Sequence, residues 1–558
     1  MRNFYSIFNS VPVRKPKRSL FDLSFENKLS LEFGDLVPIF TKLVIPGDKF
    51  KVTSEIMMRT MPLVAPVMHR VNITTHWFYV PLRLIWNDFE DWQRLSAQQV
   101  DQDGNPDPSI PVYPDMQYVA PEANDLSSDN QSPTIGTLAD YLGFPNGVKF
   151  GTDRRITQLP FRAYQLIYNE WYRDENLITE VSIPKTSGHL DAGASVNTSA
   201  ALQIKNLVSI RRRAWEKDYF TAALPNPQSG YDVRLPLGDK APIGFKNDSI
   251  PTAELATADG VYKRGFGTSS SARAEYSRIG ADDVNGLMNE NLSQPLAYDN
   301  SKHLFANLEN ATAATINSIR RAFALQRWAE ATARGGKRYR EFLLSHFGVK
   351  SSDARFQVPE FLGGSVQPLN IGEVVQTSES TAASPQGTPT GRAFSLGNVA
   401  GFKRYFEEFG IVMGIMSVTP RTAYFQGIPK DWLKRDAVDF YFPEFAEIGE
   451  QEIQNQELYA LSSNPTGTFG YAPRYAEYKY YPSEVHGDFR SSLKFWHMAR
   501  EFSSEPSLNG TFVTIPTNVA DRNFPVDDGA TPDQRLYCEI YHNVKAVRPM
   551  PKYGLPKM

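Results

Sequence analysis

Asp101, Asp103, Asn105 and Asp107 place oxygen ligands at alternate positions, the spacing by which a loop wraps calcium. The bidentate glutamate that would close such a loop is missing, and Val112 stands in its place. The competing reading is an acidic turn that holds no ion. Eight histidines, His69, His76, His189, His303, His346, His486, His497 and His542, form neither an HExxH nor an HxH pair. Metal-assisted hydrolysis therefore has no support. His76 lies in a strand-like pattern and His346 beside Phe347, and both read as structural side chains. No GxSxG, Walker loop or GxGxxG is present. Carboxylates are plentiful enough for a glycosidase pair, yet no constellation singles one out. No cofactor and no catalytic residue is expected.

Cations offer a second kind of chemistry. Residues 1–18 hold Arg2, Arg14, Lys15, Lys17 and Arg18 with no acidic residue, and Pro12 and Pro16 keep the segment extended. Such an arm can gather phosphates and release counterions; the alternative is a solvated tail. Arg211, Arg212 and Arg213 stand just before Trp215, where arginine beside an aromatic could hold phosphates and stack bases. Ion pairing to carboxylates across a subunit boundary is the competing reading. Arg320, Arg321, Arg327 and Arg334 read as a solvated or interface face of a helix. The formal net charge of −3 argues against a dedicated nucleic-acid binder.

Aromatics are the third signal. The chain holds 26 Tyr, 35 Phe and 8 Trp, more than the cores alone would explain where they cluster. Tyr471, Tyr475, Tyr478, Tyr480 and Tyr481 crowd one short irregular stretch. Tyrosine and arginine dominate protein interfaces, so the run 469–482 is expected to meet another subunit.

The elements that must carry these residues are mostly strands. Residues 71–80 (VNITTHWFYV) are β-branched, aromatic and alternating, and 33–45, 410–418, 510–515 and 537–544 are further strand candidates. Residues 313–334 predict an amphipathic helix with Gly335 at its end, and 161–171 a shorter one. With 39 prolines and 37 glycines breaking up the remainder, separated strands and long connections point to a sandwich or jelly roll. Three stretches read as insertions: an acidic, solvated loop at 101–132, a polar glycine-rich region at 238–301, and a flexible one at 378–397.

The 558 residues, 41% hydrophobic and 22% charged, suffice for a substantial core. A lone Cys538 leaves no intrachain disulfide and reads as a small buried hydrophobe. The basic N-terminal residues are followed by no apolar run, and the longest such run, 411–418, is far short of a membrane span of about 20 residues. Folding in a cytoplasm, without membrane insertion, is the expectation.

One block ties these signals together. Gly335-Gly336-Lys337-Arg338-Tyr339, His346-Phe347-Gly348, Ser352-Asp353-Ala354-Arg355, Pro359-Glu360-Phe361-Leu362-Gly363-Gly364 and Val375-Gln376-Thr377-Ser378 resemble the major capsid protein of the Microviridae, small icosahedral phages with single-stranded DNA. Asn169 to Asn176 (NEWYRDEN), Lys217-Asp218-Tyr219-Phe220, Pro46-Gly47-Asp48, Val80 to Trp86 (VPLRLIW) and Arg548-Pro549-Met550-Pro551 match in the same order. The resemblance implies an eight-stranded antiparallel jelly roll with long loop insertions and a few helices. Its layout would be a basic arm (1–20), core (21–237 and 302–558) and a surface insertion (238–301). Gokushovirus relatives form threefold protrusions with that insertion. The implied partners are further copies of the chain, packaged circular single-stranded DNA, a small basic internal DNA-binding protein, a minor pilot protein and a receptor on the host bacterium. The implied location is the virion, assembled in the host cytoplasm. A jelly-roll carbohydrate-binding protein or glycosidase is the main rival, and a DNA-binding module the weaker one.

Overall fold

The computed structural model describes residues 17–95, 110–193, 195–230, 233, 316–375, 389–525 and 534–553, plus short strands between 243 and 306. Nine strands form one antiparallel sheet: β1 (Ser19–Asp22), β2 (Phe25–Leu31), β3 (Val37–Val44), β4 (Lys49–Thr60), β5 (Val71–Pro81), β6 (Glu360–Val375), β7 (Pro389–Tyr405), β8 (Gly410–Pro420) and β9 (Leu536–Arg548). The order across the sheet is β1-β9-β4-β7-β6-β5-β8-β3, with β2 also pairing β9. Among the described residues nine strands join this sheet, because β1 and β2 share the outer edge of β9. The sheet curls as viral jelly rolls do, and the fold is mainly β.

Curling follows from one long strand. The first part of β6 pairs β5, and its last six residues, Asn370 to Val375, pair β7. A bulge between Val399 and Phe402 bends β7 further. Gly401 sits inside it, and a Cβ there would lie 1.7 Å from the carbonyl oxygen of Val52, so the bend requires glycine.

The alternation of side chains builds two cores from one sheet. In β4 and β9 one face is buried and the other meets solvent. In β8 both faces are buried. Val412, Met416 and Val418 pack with Trp77, Phe40, Phe50 and Ile540 inside the curl. Ile411, Met413 and Ile415 face outward onto α1 (Leu159–Ile167) and α2 (Ser199–Val208). A third core gathers Tyr219, Phe220, Tyr424, Ile453, Phe469 and Phe512 from the connections.

Several expectations need correction. Residues 510–515 hold a helical turn, Gly510–Val513, because Asn509 caps it by accepting from the Phe512 amide at 2.9 Å. Residues 389–397, read as flexible, are the start of β7; Ala393 and Ser395 face inward, so small side chains hide the pattern. The acidic loop is solvated only in part, since Met116, Tyr118 and Val119 enter the outer core. α3 (Ile316–Gly335) includes Gly335, and the left-handed stop is Gly336: it has φ +101°, and a Cβ there would clash with the Glu341 and Glu175 carboxylates.

The chain divides into two compact units, Gly230–Glu330 and the remainder. Within the smaller unit, Thr252–Thr257 pairs Gly260–Gly265, and Ile279–Asp282 pairs Gly286–Asn289. Cys538 is buried, and burial pushes its thiol up to about 12. Among the described residues no helix is long and apolar enough to cross a membrane.

Candidate assembly and nucleic-acid surfaces

The Arg211–Arg213 run leaves α2 as a strap laid between two segments. The Arg211 carbonyl accepts from the Leu36 amide at 2.9 Å, and Arg213 donates to the Gly34 carbonyl at 2.7 Å and accepts from Ile515 at 3.0 Å. Arg212 then reaches Asp35 at 2.6 Å and the Ile515 carbonyl at 2.7 Å, and also bonds the carbonyls of Phe33 and Pro516. Arg211 donates to Gln165 at 2.8 Å and Arg213 to Ser417 at 2.7 Å. Burial lowers the pKa of Arg211 and Arg213, and it raises Asp35 to about 6 against the pull of Arg212. These guanidinium groups have their observed partners within the chain.

Of the basic arm, Lys17 and Arg18 are described and exposed; Arg2, Arg14 and Lys15 lie outside the described residues. Arg18 stands 5.5 Å from the centroid of the Tyr405 ring, an exposed cation over an aromatic face. Asp101, Asp103, Asn105 and Asp107 also lie outside the described residues.

The tyrosine run is split. Tyr475 is only 2% exposed and holds φ 60°; its amide donates to Gln451 at 3.0 Å and its hydroxyl to the Phe440 carbonyl at 3.1 Å. Tyr471 bridges to Leu224, and Tyr480 is partly buried. Tyr478 and Tyr481 face outward, with the Lys434 ammonium 3.8 Å from the Tyr478 ring centroid.

A second aromatic surface lies just upstream. Trp432, Phe440, Tyr441, Phe442 and Ile448 are all exposed, Trp432 by 74%. Short 3₁₀ turns hold them in place: the Asp439 carboxylate accepts from the Arg435 and Asp436 amides at 2.9 and 3.0 Å. Those donors hold its pKa below the usual carboxylate range. Trp432 also walls a cavity of about 480 Å³ floored by Tyr219, Phe220 and Tyr424. The signal was present in the sequence as Phe440-Tyr441-Phe442-Pro443-Glu444-Phe445, an aromatic-rich run that no strand or helix pattern needs. Exposed apolar side chains gathered in one short segment make it a candidate contact site.

A curled antiparallel sheet carrying structural histidines and uncovered aromatic loops defines a structural β-protein built for contact. Residues 9–558 match the family model described as capsid protein (F protein), and the chain belongs to that family. It is 36% identical to capsid protein VP1 of Bdellovibrio phage phiMH2K over 562 residues, covering 98% of this chain and 97% of that protein. Capsid protein VP1 of Chlamydia phage 1 is 33% identical over 599 residues, at 98% and 97% coverage. That of Spiroplasma virus 4 is 30% identical over 551 residues, at 97% and 95%. These are Microviridae, as the resemblance implied, and the chain is a structural capsid protein, not an enzyme.

Proposed function

We propose that many copies of this chain close into a small icosahedral shell around circular single-stranded DNA. The observation that supports it most is the uncovered aromatic surface from Trp432 to Ile448 on a chain of a capsid family. Closed shells need heterologous contacts, in which different patches of neighbouring subunits meet and the ring closes at one rotation. Each contact is modest, but a subunit held by several neighbours at once dissociates slowly.

In this reading the arm, Arg2, Arg14, Lys15, Lys17 and Arg18, faces the packaged DNA, and the 238–301 insertion forms a surface protrusion. A net charge of −3 leaves most phosphate neutralisation to counterions and a small basic internal protein. A pilot protein and a bacterial surface receptor complete the partners, with assembly in the host cytoplasm. Expression with the phage's other structural proteins tests this directly. Electron microscopy should show uniform particles, and deletion of residues 1–18 should lower their DNA content. Only monomeric 62.8 kDa protein under every condition would overturn the proposal.

A further inference from the structure

Two exposed apolar faces of the larger unit carry opposite charge. The first is the 432–448 surface. Its exposed charged side chains are mainly acidic, Asp436, Glu444 and Glu447, with Asp431 paired to Lys434 at 2.9 Å and Arg435 an opposing exposed cation. The second is the outer side of α4 (Tyr339–Phe347) and the turn after it, where Tyr339, Leu344, Phe347 and Val349 are exposed, Phe347 by 68%. Lys337 and Lys350 stand exposed at its two ends.

Both faces are rigidly mounted. α4 is pinned from below by Arg338, which donates to the Asn169 carbonyl at 2.8 Å and the Arg173 carbonyl at 3.0 Å. It stops at Gly348 in the left-handed region, φ +66°. The first face is fixed by the Asp439 turn and by Tyr475 beneath it. Preorganised aromatic anchors lose little entropy on association.

We propose that the acidic 432–448 face of one copy docks on the basic α4 face of a second copy. The inference rests on the shell reading above and adds which surfaces meet. Apolar side chains would form the dry centre of this contact, and the carboxylates and lysines its rim. A face meeting a different face is the heterologous geometry that closes a ring.

Charge reversal tests it. Glu444→Lys with Glu447→Lys should cut particle yield, as should Lys337→Glu with Lys350→Glu, and combining the two sets should restore it. Trp432→Ala should lower yield by roughly tenfold or more while the subunit stays folded by circular dichroism. A second readout does not depend on yield. Chains bearing Ile448→Cys and chains bearing Val349→Cys are mixed and treated with a short bis-maleimide; native Cys538 is buried and contributes little background. Inter-chain products in particles support the contact. Normal particles without such products, or products only with another protein, overturn it and leave the shell reading standing. Wild-type chain that forms no particles overturns both.

Discussion

The curled sheet, a half-barrel, and the aromatic loops treat the same residue types in opposite ways. Inside the curl, Trp77 packs against Phe40, Phe402 and His542 at ring distances of 5.6 to 6.1 Å, and its indole NH finds the Ala400 carbonyl at 3.1 Å. In the loops, Trp432 and Phe440 have strong local scaffolding under them and solvent over them. On the proposed contact, the difference separates what folds the subunit from what joins subunits. Large exposed apolar patches commonly mark sites of contact.

Arg212→Ala attacks the first side of that comparison and should have the largest effect. The change would leave Asp35 buried without its cation and strip donors from the Phe33, Ile515 and Pro516 carbonyls. Removing one partner of a buried ion pair costs about 3–5 kcal/mol. Urea unfolding of the isolated subunit should register that loss. A midpoint equal to wild type would mean that the strap does not hold the barrel, and would return Arg212 to the candidates for DNA contact.

Acid should also act on the barrel. His542 is fully buried; a carbonyl can only accept, so Nε2–H donates to Ile39 at 3.2 Å and Nδ1 accepts from the Ser54 hydroxyl at 2.7 Å. Burial lowers its pKa to about 4, with Lys42 adding to the shift, and His76, against Tyr172, is likewise lowered to about 4. The unfolded chain takes up these protons near 6.5, the folded chain only near 4. Stability is therefore complete above pH 6.5 and is lost as pH falls from there to 4, by up to about 3 kcal/mol for each histidine. His542→Gln should flatten this dependence in thermal melts between pH 7 and 4.5. An unchanged slope would show that His542 titrates normally.

Legibility in the sequence followed the same division. Strands β3, β5, β8 and β9 could be read because large β-branched and aromatic residues alternate or run continuously there. β6 and β7 escaped because Gly364, Gly391 and Gly397 occupy places where another chain segment passes close, as the Gly391 position 2.6 Å from the Ala65 carbonyl shows. Side-chain size then reports on crowding and not on burial. Tyr475 and Tyr481 differ by six positions and read alike, yet one is buried and the other 72% exposed. Arg211–Arg213 read as a basic patch because local sequence does not reveal that Gly34, Asp35 and Ile515 lie alongside. The exposed aromatics from Trp432 to Ile448 sit in irregular connections, for which periodicity carries no information.

Asp439→Ala probes the other side of the comparison with the smallest change. Its carboxylate satisfies two backbone amides that would otherwise point into the turn, a capping arrangement worth about 1 kcal/mol. The turn lies outside the three buried cores, so the urea midpoint of the subunit should hardly move. Local opening should rise about fivefold, visible as faster amide exchange at Arg435 and Asp436. If the turn exists to present Phe440 and Tyr441 to a second copy, particle assembly should slow although the barrel is unaffected. Asp439→Asn, which keeps an accepting oxygen, should recover most of the loss. Equal assembly by all three chains would separate the rigidity of this loop from its role, and would place the docking energy in Trp432 and Ile448 instead.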